Sequence, residues 1–235
     1  LQLKLIGAVE DYRATLDIAA TGSLAETRVR IDARSAAPAV LQGHADLVVQ
    51  AFAPMPVREA RLSITGLDPA AFHAQAPHAQ LDIEANLVPS LPPSGKTAPA
   101  DWRVRGPLRI TNHVAAPIED GLPVQRLAAE IDWAAGQLKL DGLSLQLPGR
   151  GQLSGALAWS QQAGSALGQA SGRFTLKDVD PARLSRHARS LRIGGTLALT
   201  GSAQAQRFAL DLQADKMAPT ARGAHRQQTL HVEQA

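Results

Sequence analysis

The sequence predicts an all-β fold, a long antiparallel meander curled into a taco-like or half-barrel groove with one or two short helices. Apolar and polar residues alternate in short segments from end to end, which is typical of strands with one apolar and one polar face. Turn signals rich in Gly and Pro separate these segments at intervals of roughly 8–14 residues. About a dozen to sixteen strands would follow, more than a twisted open sheet usually carries without curling.

The strand predictions rest on individual alternating segments. From Leu1 to Leu5, apolar residues occupy odd positions and polar residues even ones, and Leu143 to Leu147 follow the same order. Side chains at every second position of a strand share a face, so each segment contributes half of its residues to one apolar face. Further strands are predicted at residues 28–33, 60–64, 81–85, 138–140, 172–176, 208–213 and 229–233.

Two short helical turns are predicted within the meander, at residues 68–72 and 180–184. Asp68 and Asp180 each stand directly before Pro-Ala, an order that supplies a helix with an N-cap acceptor and a first residue that has no N–H to satisfy. Each turn lies between two predicted strands, and 112 residues separate the two aspartates. This spacing predicts a degenerate strand–helix–strand repeat.

The chain is interrupted by a stretch rich in Pro, Ser and Gly, VPSLPPSGKTAP, from Val88 to Pro99. We predict an unpaired loop or linker at 88–100 between two groove segments, 1–87 and 101–235, because proline cannot donate to a sheet ladder. The two segments should form one continuous elongated unit. The chain begins with Leu1 in a strand-like segment and has no long apolar run, which predicts a fragment of a longer protein.

Composition argues against several classes of protein. Cysteine is absent, so neither a disulfide nor a thiolate metal site can form. Aromatic residues make up only 3% of the chain, too few for the base stacking that single-stranded nucleic acids require. The net charge of +3 comes from cations spread singly or two residues apart, such as Arg103 and Arg105. This spacing is typical of a solvated strand face, and we predict no nucleic-acid partner.

The sequence contains no motif for catalysis or cofactor binding. Its seven histidines form no HExxH or similar metal-ligand spacing. Asp178 and Asp180 lack the further oxygen ligands of a calcium loop, and N-capping by Asp180 explains the pair better. No serine stands in a G-x-S-x-G elbow, and no Gly-rich stretch carries the Lys-Ser/Thr of a phosphate loop. We therefore predict no catalytic residue, no metal, no cofactor and no enzymatic activity.

The apolar face is the remaining candidate for a functional site. Its residues would line either the closed core of a sandwich or barrel, or an open groove for an apolar ligand, and the alternation alone favours the closed core. The residues predicted to line a groove are Val29, Ile31, Leu81, Ile83, Leu127, Ile131, Leu138, Leu140, Leu143, Leu145, Leu147, Phe174, Leu210 and Leu212.

Four phrases of the sequence, at residues 66–87, 104–133, 136–160 and 176–201, resemble the TamB branch of the AsmA-like family of bacterial envelope proteins. GLDPAAFHAQAPHAQLDIEANL (Gly66 to Leu87) and LKDVDPARLSRHARSLRIGGTLALTG (Leu176 to Gly201) are similar to its Asp-Pro-Ala element followed by a strand pair. VRGPLRITNHVAAPIEDGLPVQRLAAEIDW (Val104 to Trp133) resembles its element with an Asn after a strand and a downstream Leu-Pro. GQLKLDGLSLQLPGRGQLSGALAWS (Gly136 to Ser160) resembles its strand–strand–Gly–strand closure.

The resemblance implies a periplasmic β-taco segment of a bridge-like lipid-transfer protein. Such a segment would form a hydrophobic groove that carries phospholipid acyl chains between the inner and outer membranes. Parts of the protein outside this chain would supply an inner-membrane anchor and contact with an outer-membrane barrel of the TamA type. The family's link to the translocation and assembly module would add a role in outer-membrane biogenesis.

Two rival functions follow from the same strand pattern. The first is a structural or interaction β-domain, a closed sandwich or solenoid resembling an adhesin or a protein-translocation scaffold, with no lipid groove. The second is a carbohydrate-binding or hydrolytic β-solenoid, which would need a line of exposed aromatic and acidic residues that the sequence does not supply. A dry, fully packed interior would favour the first rival, whereas an open apolar face would favour lipid binding.

Overall fold

A computed structural model describes residues 2–9, 12–23, 25–35, 41–73, 75–92, 102–161, 168–202, 206–215 and 227–234. These residues form fourteen strands that follow one another in sequence order in one sheet. Neighbouring strands are antiparallel, as in the pairing of residues 2–9 with residues 12–19. The predicted all-β meander is therefore confirmed, and its strand count lies within the expected range.

The strands are mostly eight to eleven residues long. Two short helical turns interrupt them, a 3₁₀ turn at Pro69–Ala71 and the helix α1 at Pro181–Leu184. The strands are β1 Gln2–Val9, β2 Tyr12–Gly22, β3 Thr27–Ser35, β4 Gln42–Val49, β5 Val57–Leu67, β6 Leu81–Ser90, β7 Arg103–Asn112, β8 Arg126–Ala134, β9 Gln137–Gln146, β10 Gln152–Ser160, β11 Gln169–Val179, β12 Arg192–Ser202, β13 Gln206–Asp215 and β14 Gln227–Gln234.

The chain forms two compact units. Unit 1 comprises Leu1–Val114 with Ile131–Ala135, and unit 2 comprises Ala115–Glu130 with Gly136–Ala235. The division falls after β7 and within β8 rather than at the Pro-rich stretch. Strand β6 runs through Pro89 to Ser90, so the first three residues of the predicted interruption at 88–100 belong to the strand. Residues 93–100 of that stretch lie outside the described residues.

In unit 1 the strand register aligns apolar residues into rows that cross the sheet. On each strand, the residues that belong to neighbouring rows are two positions apart, so their side chains lie on the same side of the sheet. The alternate positions carry charged and polar side chains on the other side. Two of the apolar rows are Ile18–Ile31–Ala45–Leu62–Ala85–Leu108 and Leu16–Ala33–Gly43–Ile64–Ile83–Ile110.

At two places the strand pairing is irregular, and successive residues of the apolar face are three positions apart instead of two. The β5–β6 register shifts between Ile64 and Leu67, and the β11–β12 register shifts between Leu176 and Val179. Each β-bulge inserts one extra residue, so the apolar residue beyond it returns to the apolar face. Gly66 and Asp178 occupy the bulges with φ of 77° and 51°, in the left-handed region that Gly and Asp tolerate best.

A helical turn follows each of these bulges, and its aspartate is the N-cap, as predicted. We call residues 68–80 the first Asp-Pro turn and residues 180–191 the second. In the first, Asp68 Oδ1 accepts hydrogen bonds from Ala70 N at 3.1 Å and Ala79 N at 3.2 Å. In the second, Asp180 Oδ1 accepts from Ala182 N at 3.1 Å and Leu191 N at 3.3 Å. One carboxylate thus caps the helical turn and ties it to the start of the next strand.

Buried side chains lie near both of these turns and, in unit 1, also in the β4–β5 loop, where Met55 is buried. In unit 1, Ala79 and Leu81 are buried at the first Asp-Pro turn, together with Asn112 at the end of β7. Asn112 Oδ1 accepts hydrogen bonds from Gln80 N and Val114 N, both at 3.2 Å. In unit 2 the buried apolar side chains lie in the halves of their strands nearest the second Asp-Pro turn. These are Ala129, Leu143 and Val179.

Candidate functional site: the apolar face

The apolar face of unit 2 consists of three aligned rows that cross β9 to β13. Aliphatic side chains dominate them, and glycine fills several of the intervening positions, which lets neighbouring large side chains approach one another. The rows are Leu140–Leu157–Gly172–Leu199–Phe208, Leu143–Gly155–Phe174–Leu197–Leu210 and Leu145–Leu153–Leu176–Gly195–Leu212.

Most side chains on this face keep part of their surface exposed. Within the described residues, no large side chain falls below 2% exposure, and Leu62 on the unit 1 face is 37% exposed. Fully buried core residues normally touch six to twelve others and lose nearly all of their accessible surface. The apolar face is therefore half-buried rather than sealed along most of its strands, and its exposed aliphatic surface could bind an apolar ligand.

The structure places most of the predicted groove residues on this face. Leu81 and Leu143 are buried, at 8% and 5% exposure, so they belong to the packed part near the turns. Leu147 follows the end of β9 and packs in the β9–β10 turn, where its N–H donates to Gly151 O at 2.8 Å. Leu210 is described by its backbone alone, opposite Leu197. The half-buried members are Val29, Ile31, Ile83, Leu127, Ile131, Leu138, Leu140, Leu145, Phe174 and Leu212.

Sequence reasoning missed other members of the face for two reasons. Glycines hide the alternation in β10 and β11, where Gly155 and Gly172 occupy apolar-face positions between larger residues. In β5 and at the end of β11 the bulges interrupt the alternation, because Leu67 and Val179 lie three residues after the preceding residue of the apolar face. The signal that could have found them is an apolar spacing of three across a Gly or Asp, as in Ile64-Thr65-Gly66-Leu67.

The opposite face of unit 1 carries charges that pair across strands. His44 Nδ1 lies 2.8 Å from Asp32 Oδ1, and His44 Nε2 lies 2.9 Å from Asp46 Oδ2. The hydrogen bond with Asp32, followed by that with Asp46, raises the pKa of His44 above its ordinary value. Both ring nitrogens are engaged by carboxylates, so this histidine has no nitrogen free to serve as a base or a metal ligand.

A second group of charged residues on that face also joins neighbouring strands. Asp132 of β8 accepts a hydrogen bond from Arg103 Nε at 2.7 Å and another from Arg105 Nη2 at 2.8 Å. These bonds, Arg103 first, hold the pKa of Asp132 well below its usual range. A depression of about 250 Å³ on the polar face, lined by residues such as Arg61, Glu84 and Arg109, carries charges of both signs. Across the described ranges, no group of three or more His, Asp or Glu side chains is arranged to hold a metal ion.

No family model, curated protein or solved structure matches this chain. The described part of the chain contains no helix that is long and apolar enough to cross a membrane. Several charges on the polar face of unit 1 pair across strands, whereas the apolar rows present aliphatic surface.

Proposed function

We propose that the apolar face shields the acyl chains of phospholipids from water. The observation that carries this proposal is the set of aligned aliphatic rows whose members stay half-exposed in both units. Aliphatic rows bind flexible hydrocarbon without a preferred orientation, since the hydrophobic effect is not directional. The proposal needs no catalytic group and no nucleotide.

The energy of acyl-chain transfer is large enough to require such a surface. Each CH₂ group kept out of water is worth about 0.8 kcal/mol, so exposing a chain of some sixteen carbons costs on the order of 10 kcal/mol. A row of leucines with a spacing of one strand, about 4.8 Å, offers successive contacts to a chain that moves across the sheet. Contact with this surface would lower the cost of transfer through an aqueous compartment.

The resemblance of the sequence to the TamB branch of the AsmA-like family supports the same function. Its Asp-Pro-Ala phrases coincide with the two Asp-Pro turns, which bound the apolar face in each unit. On this basis we place the protein in the periplasm, tethered to the inner membrane and moving phospholipid toward the outer membrane. An outer-membrane barrel of the TamA type would be its partner, reached through other parts of the protein.

Native mass spectrometry of the protein purified from bacteria tests the proposal. We expect substoichiometric phospholipid in the spectrum and uptake of a fluorescent phospholipid by the delipidated protein. Leu145→Asp should abolish uptake, because a passing acyl chain would have to desolvate the new carboxylate at a cost of several kcal/mol.

Ser144→Asp is the matched control, since Ser144 neighbours Leu145 on β9 but lies on the polar face and is exposed. This variant should take up lipid as the wild type does. A spectrum without lipid, together with no fluorescent-lipid uptake by the wild type, would instead favour a structural β-domain.

A further inference from the structure

A histidine on the polar face of unit 1 lies between two carboxylates. His44 belongs to β4, and its Nδ1 lies 2.8 Å from Oδ1 of Asp32, the residue directly opposite on β3. Its Nε2 lies 2.9 Å from Oδ2 of Asp46, two residues further along β4. The other oxygen of Asp46 accepts a hydrogen bond from Arg30 Nε of β3 at 3.1 Å. Side chains therefore join β3 to β4 at two neighbouring points, in addition to the backbone ladder.

The two distances can be satisfied together only by a charged imidazolium ring. A carboxylate has no proton to donate, and a neutral imidazole carries one N–H, so it can donate to only one of the two aspartates. Its other nitrogen would then turn a lone pair toward the second carboxylate, at 2.9 Å or less. The hydrogen bond with Asp32, followed by that with Asp46, raises the pKa of His44, which is the direction that this geometry requires.

Two other histidines of unit 1 contact a single carboxylate each. His113 Nε2 lies 2.7 Å from Asp82 Oδ2, and His78 Nδ1 lies 3.3 Å from Asp68 Oδ2. One N–H is enough for one carboxylate, so a neutral ring can keep either of these bonds. Among the side chains that the structure describes, the bridge between two carboxylates is therefore particular to His44.

Strand β2 places a further acidic residue next to Asp32. Asp17 is directly opposite Asp32 in the β2–β3 register, and residues opposite one another in an antiparallel pair share a face. Like charges in that arrangement destabilise a strand pair. Within the described residues, His44 is the one side chain that bonds Asp32. A charged ring at this position therefore offsets the repulsion between the two aspartates.

The nearby cations on the polar face do not replace the histidine. Arg30 is bonded to Asp46, and Arg61, opposite Asp46 on β5, is bonded to Glu59. The residue opposite the histidine on β5 is the uncharged Ser63. The remaining charged side chains of its row and of β3 are Glu84, Arg109, Arg28 and Arg34. Across the described ranges none of these is paired with the aspartate of β3, so loss of the ring's charge would leave that aspartate without a bonded cation.

From this placement, we propose that His44 is a proton-dependent clamp between β3 and β4, closed when the ring is charged. The charged ring bonds both aspartates, whereas the neutral ring releases one of them. Because folding raises the pKa of this histidine, its contribution to stability is present in full below the unfolded pKa, near 6.5, and is lost as the pH rises through the folded pKa. The clamp holds unit 1 more firmly at mildly acidic than at alkaline pH, whatever ligand the apolar face binds.

NMR titration of the histidine ring protons in the full chain tests the clamp directly. The His44 resonance should titrate above the ordinary value near 6.5. Asp32→Asn keeps the shape of the partner and removes its charge, so it should lower the titration midpoint. Ser63→Ala is the matched control, because it changes the opposite neighbour of His44 without changing a charge, and it should leave the midpoint in place. A midpoint at or below 6.5, or one that Asp32→Asn does not move, would overturn the proposal.

Thermal unfolding measures the consequence for stability. Glutamine can donate to one aspartate but carries no charge, so His44→Gln imitates the neutral ring. At about pH 6 its thermal midpoint should lie about 1–3 °C below that of the wild type, the size expected of a partly exposed ion pair. This difference should shrink as the pH rises through the NMR midpoint of His44.

His73→Gln is the control for the loss of a histidine from unit 1. His73 Nδ1 accepts a hydrogen bond from Gln75 N, and its ring contacts no carboxylate among the described residues. The difference in thermal midpoint for this variant should not grow toward acidic pH. A difference for His44→Gln that is the same on both sides of the His44 titration would show that the charge of the ring does not hold the strands, and would overturn the proposal.

Discussion

The first and second Asp-Pro turns share one geometry although few of their residues are the same. In both, a bulge with a left-handed residue, Gly66 or Asp178, precedes the capping aspartate by two positions. In both, that aspartate also binds the side chain ten residues later, which is His78 in the first turn and Ser190 in the second. The repeat is therefore a repeat of backbone constraints, and the side chains that satisfy them can change.

The turns differ in what covers them. The second turn is held by residues 118–120, where Ile118 N donates to Leu184 O at 2.8 Å and Glu119 accepts from Ser185 Oγ and from Arg186 N. The hydrogen bond from Ser185 is the first cause that lowers the pKa of Glu119. In the first turn, the residue equivalent to Leu184 is Phe72, which stays 53% exposed. The bulge and the N-cap are common to both turns, whereas the residues that pack on the turn differ between the two units.

The largest expected effect comes from the residues just beyond the bulges. Val179 is 4% exposed, and an added methyl at Gly151 would lie 3.4 Å from its Cα, so the β9–β10 turn packs against it. Val179→Asp should cost on the order of 3 kcal/mol or more, because it buries an unpaired charge. Leu67→Asp, at the equivalent half-buried place, should cost about half as much. Denaturant unfolding measures both.

Thr175→Asp is the control for this pair, since Thr175 is exposed on the polar face of β11. It should change the free energy of unfolding by no more than about 0.5 kcal/mol. Equal losses for Val179→Asp and Leu67→Asp would show that the two bulges lead into equally sealed sites.

The next effect concerns the caps. Asp68→Ala and Asp180→Ala should each lower the free energy of unfolding by about 0.5–2 kcal/mol, because each removes the acceptor of an N-cap and of the bond to the next strand. Asn retains one acceptor oxygen, so Asp180→Asn should lose less. Since the two caps share no partner, the double variant should lose the sum of the two single losses.

Lipid uptake separates the structural role of the caps from a direct role in binding. A variant with an unchanged unfolding midpoint but no lipid uptake would contradict the cap interpretation. Measuring both quantities on the same preparation of Asp180→Ala makes this distinction.

The turns were predictable from sequence because their chemistry is local. Asp-Pro-Ala specifies an N-cap and a first helical residue within three positions, and period-two alternation specifies strands such as β6. The bulges were not predicted, since Gly66 and Asp178 act by shifting the register against a distant strand.

The exposure of individual residues on the apolar face could not be predicted from the alternation of apolar and polar residues either. Leu143 and Leu145 obey the same alternation, yet Leu143 is buried and Leu145 is half-buried. The alternation of a single strand specifies the face on which a residue lies and does not specify how much of it other parts of the unit cover. The alternation predicted which face is apolar, and only the structure distinguishes its packed part from its exposed part.

The smallest expected effect distinguishes the two turns by their dependence on pH. Asp82 of β6 lies 2.7 Å from His113 Nε2 and accepts from Gly66 N, the bulge residue, at 3.1 Å. The equivalent position after the second turn is Gly194, which has no side chain. The hydrogen bond with His113, partly opposed by burial and then aided by the Gly66 N–H, lowers the pKa of Asp82.

A carboxyl group whose pKa is lowered on folding stabilises the protein above its unfolded pKa, near 4, and this contribution disappears as the pH falls through the folded pKa. Because both partners are partly exposed, Asp82→Asn should cost less than about 1 kcal/mol at pH 7. The difference in thermal midpoint between wild type and Asp82→Asn should begin to shrink below about pH 4 and disappear as the pH falls through the lowered pKa of Asp82. Glu84→Gln, on the same face of β6 but away from the turn, is the matched control. A midpoint difference for Asp82→Asn that persists undiminished at pH 3 would show that the carboxylate charge does not stabilise the first turn.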